Sequence, residues 1–177
     1  MKRDISQYNF EKGDIGERLV RSALKKRGWM LAAFDEGEAH PCDNFASKWD
    51  MKFRALDIKT YPRRSRFPDT GINLDHYEKY MQAPNDFYLL FVDQLEKKVY
   101  GNQLKELNKP TVVNAITYPL FDGSGDKRKV YFPLQNMELY APLPDDICEE
   151  LKKLSNSGYK GETLWFEIDW KKNVSWT

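Results

Sequence analysis

The stretch ALDIKTYPRR, Ala55 to Arg64, reads as a strand that ends at a proline. Side chains alternate across a strand with period two, so Ala55, Asp57, Lys59 and Tyr61 share one face and Leu56, Ile58 and Thr60 the other. Leu56 and Ile58 mark the core face. That leaves an aspartate and a lysine side by side on the opposite face. Two readings stand open: a solvated ion pair that contributes little to stability, or a site. Aspartate is disfavoured in strands, so Asp57 inside a strand-forming run needs a reason.

Working outward, GDIGERLVRSALKKRGW predicts a helix, with Ile15, Leu19, Val20, Ala23 and Leu24 on one stripe and Gly28 as the stop. WMLAAFDE and NFASKWDMKF are strand candidates before RALDIKTYP, with no tight-turn signal to fix how the last two pair. PRRSRFPDTGI reads as a loop on its prolines and glycine. NLDHYEKYMQ predicts a second helix, capped by Asn73, with Leu74, Tyr77 and Met81 on its stripe. DFYLLFV is continuously apolar, as a strand buried on both faces should be, and KKVYGNQL pairs with it as a hairpin. Later signals are weaker. TVVNAITY, KVYFPL and LWFEIDW suggest strands, and PDDICEELKKLSNSG a helix begun by Asp145 or Asp146. The expected architecture is a single α/β (α+β) domain over residues 1–177. Its core spans roughly 13–105 around a mixed central sheet flanked by helices, and a β-rich C-terminal extension runs over roughly 106–177.

With 177 residues, 41% hydrophobic and 14% aromatic, the composition is globular. No apolar run is long enough to span a bilayer, and the N-terminus lacks the apolar centre of a secretory signal. Cys42 and Cys148 form no paired-cysteine motif, which argues against a cysteine-based zinc site. The expected setting is cytoplasmic, with both thiols reduced. A net charge of +1, from 28 basic and 27 acidic residues, announces no polyanion partner in bulk. Locally, however, KTYPRRSRFP gathers Lys59, Arg63, Arg64 and Arg66 without an acid, a patch suited either to a phosphate backbone or simply to water.

The order of elements and three short motifs resemble the PD-(D/E)xK nuclease superfamily, with its restriction-endonuclease-like core. The motifs are Gly16-Glu17 on the first helix, Pro41-Cys42-Asp43 at the start of the second strand, and Asp57-Ile58-Lys59 in the third. The resemblance covers roughly residues 13–100. Cys42 separates the proline from the aspartate, a departure from the family's PD element. The resemblance implies that Glu17, Asp43 and Asp57 serve the metal site and that Lys59 works on the attacking water. It also implies Mg²⁺ as cofactor, with Mn²⁺ as substitute, DNA as partner, and an auxiliary polar residue from the second helix, for which His76 stands in the right place. The implied activity is that of an endonuclease of phage, mobile-element, repair or junction type. A nucleic-acid-binding module that has lost cleavage, and an RNA nuclease, are the alternatives. A double-strand cut would call for two active sites and hence a homodimer, whereas a nickase acts alone.

The chemistry of the residues agrees with this set. Phosphodiester hydrolysis brings a nucleophile to an anionic phosphate, and a hard dication neutralises developing charge and acidifies water. Magnesium takes oxygen ligands, typically one or two carboxylates plus water and phosphate. Each residue also has a plainer reading. Asp14 and Glu17 fit a capping box, Asp43 fits a turn after Pro41, and His40 fits a surface turn. Trp165, Trp170 and Trp176 could stack on unpaired bases, although the period-two neighbours of Trp165 and Phe166 suit a sheet. Neither histidine has a partner that would make a nucleophilic triad.

Overall fold

The computed structural model describes residues 5–33, 42–64, 66–83, 86–108, 112–119 and 126–156. A long helix α1 (Ile5–Lys26) leads into strands β1 (Met30–Ala33), β2 (Asn44–Ser47) and β3 (Arg54–Lys59). β4 (Asp69–Asn73) and α2 (Leu74–Met81) follow, then β5 (Phe87–Asp93), β6 (Lys98–Gln103) and the short α3 (Leu104–Leu107). β7 (Val112–Pro119), β8 (Asp126–Pro133), β9 (Glu138–Pro142) and α4 (Asp145–Asn156) complete the described chain.

Six strands form one mixed sheet in the order β1-β2-β3-β5-β6-β9, and β4-β8-β7 form a second. Among the described strands of the large sheet only β3 and β5 run parallel, joined through α2, with Asp57 opposite Leu89 and Lys59 opposite Phe91. The order α1, β1, β2, β3, α2, β5 and the mixed α/β architecture are the expected ones. β2 and β3, whose pairing the sequence leaves open, are antiparallel neighbours with Asn44 opposite Leu56.

Both faces of the sheet are covered, and this decides the environment of β3. On one face Leu56, Ile58, Leu90, Val92 and Val99 pack with Val20 and Leu24 of α1 and Leu151 of α4. On the other, Ala55, Leu89, Phe91 and Tyr100 pack with Tyr80 of α2 and with Ile72, Val130 and Phe132 of the second sheet. The apolar run of β5 is buried on both sides, as its composition requires.

Several local expectations are corrected. α1 begins at Ile5, so Asp14 and Glu17 lie inside the helix and do not form a capping box; they make i,i+4 ion pairs with Arg18 and Arg21 instead. Its C-terminal stop is as predicted, with Gly28 at φ +78° and the Trp29 N–H donating to the Leu24 carbonyl at 3.1 Å. The segment read as a proline-rich loop contains β4, paired to β8. On α2 the buried side chain is Tyr80, while Met81 is exposed; Asn73 stands at the N-cap without a side-chain hydrogen bond. β9, which lacks a strong strand signal, joins the large sheet beside β6. The strand candidate LWFEIDW, and His40, Pro41 and the three C-terminal tryptophans, lie outside the described residues. Among the described residues no helix is long and apolar enough to cross a membrane.

Gly16 is where α1 touches β3. A Cβ there would sit 2.1 Å from Thr60 Oγ1 and 3.4 Å from Val92 Cγ2. The Thr60 hydroxyl is buried without a hydrogen-bond partner, so its removal should cost little. Gly16→Ala is expected to destabilise the fold by about 1–3 kcal/mol through overpacking, and adding Thr60→Ala should return most of that loss. Denaturant melts of the two single variants and the double variant check this. Additive losses would show that the helix–sheet approach is not what selects glycine.

Candidate active site

The face of β3 that carries Asp57 and Lys59 turns inward, beneath α2. Asp57 is only 3% exposed. Its Oδ2 lies 2.8 Å from Lys59 Nζ and accepts a hydrogen bond from the Tyr80 hydroxyl at 2.8 Å. The Tyr80 ring stacks on Phe87, centroids 4.4 Å apart and planes 18° from parallel, which fixes where the hydroxyl points. Burial, joined by the charge of Asp57, holds the phenol far above its ordinary pKa, so it stays a donor. The reading of Asp57 and Lys59 as a solvated surface pair is thereby excluded.

Asp43, immediately before β2, grips β3 on both sides of Asp57. Its N–H donates to the Leu56 carbonyl at 2.9 Å, and its Oδ2 accepts from the Ile58 N–H at 2.6 Å. This places its carboxyl beside that of Asp57. Two carboxylates in a half-dry site cannot both stay charged without cost. Burial first, and then the negative charge of Asp57, push Asp43 up to about 7, so Asp43 carries a proton below neutral pH. Burial by itself would depress Lys59, but the charges of Asp57 and Asp43 outweigh it and hold the amine above its ordinary value. Lys59 is therefore a firm cation here. The neighbouring Cys42 thiol is buried and also pushed up, by burial and then by the charges of Asp57 and Asp43.

Glu17 approaches this group from α1. Burial raises its pKa, and so does the charge of Asp43, while Arg21 and Lys59 pull the other way. Its carboxylate, however, pairs with Arg21 Nη2 at 2.9 Å, and Arg21 Nε donates to Asn44 Oδ1 at 2.9 Å. The chain Glu17–Arg21–Asn44 ties α1 to the residue after Asp43. Among the described residues no group of three or more His, Cys, Asp and Glu side chains gathers closely enough to hold an ion. What meets is a pair of carboxyls with a lysine.

The remaining expected residues lie differently. Arg63 is buried, with Nε 2.5 Å from Glu96 Oε1, and its N–H donates to the buried Asp93 carboxylate at 2.8 Å. Arg64 forks onto Asp69, Nε to Oδ1 and Nη2 to Oδ2 both at 2.5 Å, and its guanidinium lies 3.8 Å from the Tyr131 ring centroid. These two arginines brace the loop to β4 and β5. Arg66 alone of the three is exposed. His76 sits on α2 one turn before Tyr80, 6.0 Å from it ring to ring, with Nε2 3.9 Å from Asp75. Tyr80 is thus the α2 side chain bonded to Asp57. A sequence signal for it existed only in the helical period, since a tyrosine four residues after His76 lies on the same face.

No family model matches the chain, and no curated protein matches it. Among solved structures it is similar to Hjc, a Holliday junction resolvase from the archaeal hyperthermophile Archaeoglobus fulgidus. The identity is 12%, the likeness covers 77% of this chain and 95% of that one, and the TM-score is 0.48. That likeness assigns no residue a role.

For a small hard dication the described residues supply two adjoining carboxyls, oxygen donors of the type it takes.

Proposed function

We propose that this chain is a divalent-metal-dependent nuclease that hydrolyses phosphodiester bonds in DNA. The observation that carries this reading is the carboxyl pair of half-buried Asp43 and buried Asp57, held at the middle of the sheet beside the cationic Lys59. A buried pair of like charges is costly, and a fold has little structural use for it. Asp43 and Asp57 would hold Mg²⁺ or Mn²⁺, with Glu17 reaching the site through water or after leaving Arg21. When bound, the ion supplies Lewis acidity toward a phosphoryl oxygen and a more acidic water.

The chain's own residues perform the rest. Lys59, firmly protonated, donates a hydrogen bond to the attacking oxygen or to the phosphoryl oxygen on which charge accumulates, and so favours the transition state over the ground state. Tyr80 orients Asp57 by donating a hydrogen bond to its Oδ2. The two Asp43 contacts to β3 lock the spacing of the pair. Glu17 and Arg21 set the position of α1 over β2.

A nucleic-acid-binding module without cleavage remains the second reading, favoured by the Glu17–Arg21 pair that takes up a third carboxylate. Supercoiled plasmid, a branched DNA and a structured RNA, each incubated with Mg²⁺, Mn²⁺ or EDTA, separate the two. Metal-dependent nicking or cutting of DNA is expected. Binding without cleavage under every metal would install the second reading, and cleavage of the RNA alone would move the substrate class.

A further inference from the structure

The hairpin that joins β2 to β3 carries the most exposed aromatic side chains of the described chain. Trp49 is 90% exposed, Met51 69% and Phe53 65%, and Lys48 and Lys52 are exposed between them. None of these rings is needed to build the turn. Asp50 accepts from Arg54 Nη1 at 3.1 Å and from the Lys52 N–H at 3.2 Å, and it also pairs with Arg54 Nη2. Arg54 Nη1 donates in turn to the Lys52 carbonyl at 3.0 Å. Met51 adopts the left-handed region at φ +57°, closing a turn in which its N–H donates to the Lys48 carbonyl at 3.0 Å. The stem is anchored as well, for Lys48 Nζ and the Arg54 guanidinium lie 4.7 and 5.3 Å from the Trp29 ring centroid. A polar frame thus holds the hairpin while its apolar side chains stand in water. Holding a ring out in this way forgoes the stabilisation that burying it would bring.

The charge of the frame selects the partner. Asp50 is neutralised within the turn by Arg54, which leaves Lys52, with Lys48 at the Trp29 ring, as the exposed charges of the hairpin. Aromatic rings alternating with lysines suit a polyanion whose apolar faces are exposed, which describes unpaired bases on a phosphate backbone. Phe53 lies four residues before Asp57 in the chain, about 13 Å at the strand rise.

We propose that the 48–53 hairpin is a stacking platform for unpaired bases of a nucleic-acid strand whose phosphate lies at Asp43 and Asp57. The platform deepens the nuclease reading and rests on it for the position of that phosphate. Such a hairpin would direct the enzyme to single-stranded, flapped or branched substrates and leave continuous duplex to be held by backbone charge alone.

The test is binding in EDTA, by anisotropy, of a labelled dT20, a U20, a continuous duplex and a flapped duplex to the parent and to Trp49→Ala, Phe53→Ala and Trp49→Phe. Thermal melts confirm that the variants fold, which exposed positions should permit. Each alanine variant is expected to weaken binding of dT20 and of the flap by about 5- to 100-fold. Continuous duplex should change less than twofold, and Trp49→Phe should keep most of the affinity. A U20 response equal to that of dT20 would extend the platform to RNA. Equal affinities of parent and alanine variants for dT20, or a parent that binds no strand, would overturn the proposal. So would loss of self-association in Trp49→Ala with DNA binding unchanged, which would reassign the rings to a protein contact. A parent that cleaves while its variants bind equally well would sink the platform alone. Ring-dependent binding with no cleavage under any metal would sink the nuclease reading alone.

Discussion

Asp57→Asn is expected to lower single-turnover DNA cleavage by about 10²- to 10⁴-fold while leaving DNA binding in EDTA intact or tighter. Asparagine keeps the shape of the side chain and can still accept from the Tyr80 hydroxyl, which now lies 2.8 Å from the carboxylate. What disappears is the charge an ion needs. The same charge repels a phosphate in the absence of metal, so its removal favours metal-free binding. Lys59→Ala should depress the chemical step by a comparable factor with little change in affinity, because its amine acts on charge that develops in the transition state. Tyr80→Phe keeps the stack on Phe87 and removes only the hydrogen bond, so a drop of about tenfold is expected. Single-turnover rates and affinities measured side by side decide the matter. Cleavage at the parent rate by both Asp57→Asn and Lys59→Ala would place the catalytic centre elsewhere on the molecule.

The second large effect is on stability. Asp43 titrates at about 7 in the folded protein, against 3.8 as its ordinary value. The native state therefore binds more protons than the unfolded state between those limits, and stability falls as pH rises across them. The contribution is complete below about pH 4 and lost as pH climbs through 7, an effect of the order of a few kcal/mol. Metal-free protein should melt several degrees lower at pH 8 than at pH 5. Glu17 and the buried Asp93 are raised by burial too and act in the same direction, so Asp43→Asn isolates the pair: the variant should lose much of the slope and exceed the parent in stability at pH 8. Saturating Mg²⁺ should flatten the parent's slope, since an ion binds the charged pair in place of the proton. Identical pH profiles for parent and Asp43→Asn would mean that Asp43 is not held protonated by its surroundings.

Much of this molecule could be read along the chain. Alternation in ALDIKTYPRR put Asp57 and Lys59 on one face, and they are found there, 2.8 Å apart. The apolar run 87–92 announced a strand buried on both sides, and Gly28 announced the end of α1. These features are local, since period, propensity and turn chemistry need no knowledge of distant residues.

What lies over a face is not local, and there only the tertiary structure decided. Period two separates two faces without saying that the second will be roofed by α2 and by the sheet β4-β8-β7, so the burial of Asp57 and its bond to Tyr80 arise from residues 23 positions or more away. Arg63 and Arg64 read as phosphate ligands because nothing acidic stands beside them in KTYPRR; Glu96 and Asp69 reach them by folding, and the patch becomes a brace. Asp14 and Glu17 carried the spacing of a cap, yet the helix continues back to Ile5 and gives them i,i+4 partners. The amino-acid order by itself determined which side chains share a face and which segments form strands and helices. Tertiary packing determined which faces are dry, because desolvation and charge pairing depend on what the rest of the chain brings over them, and it is dryness that turns Asp43 and Asp57 from two ordinary carboxylates into a coupled pair.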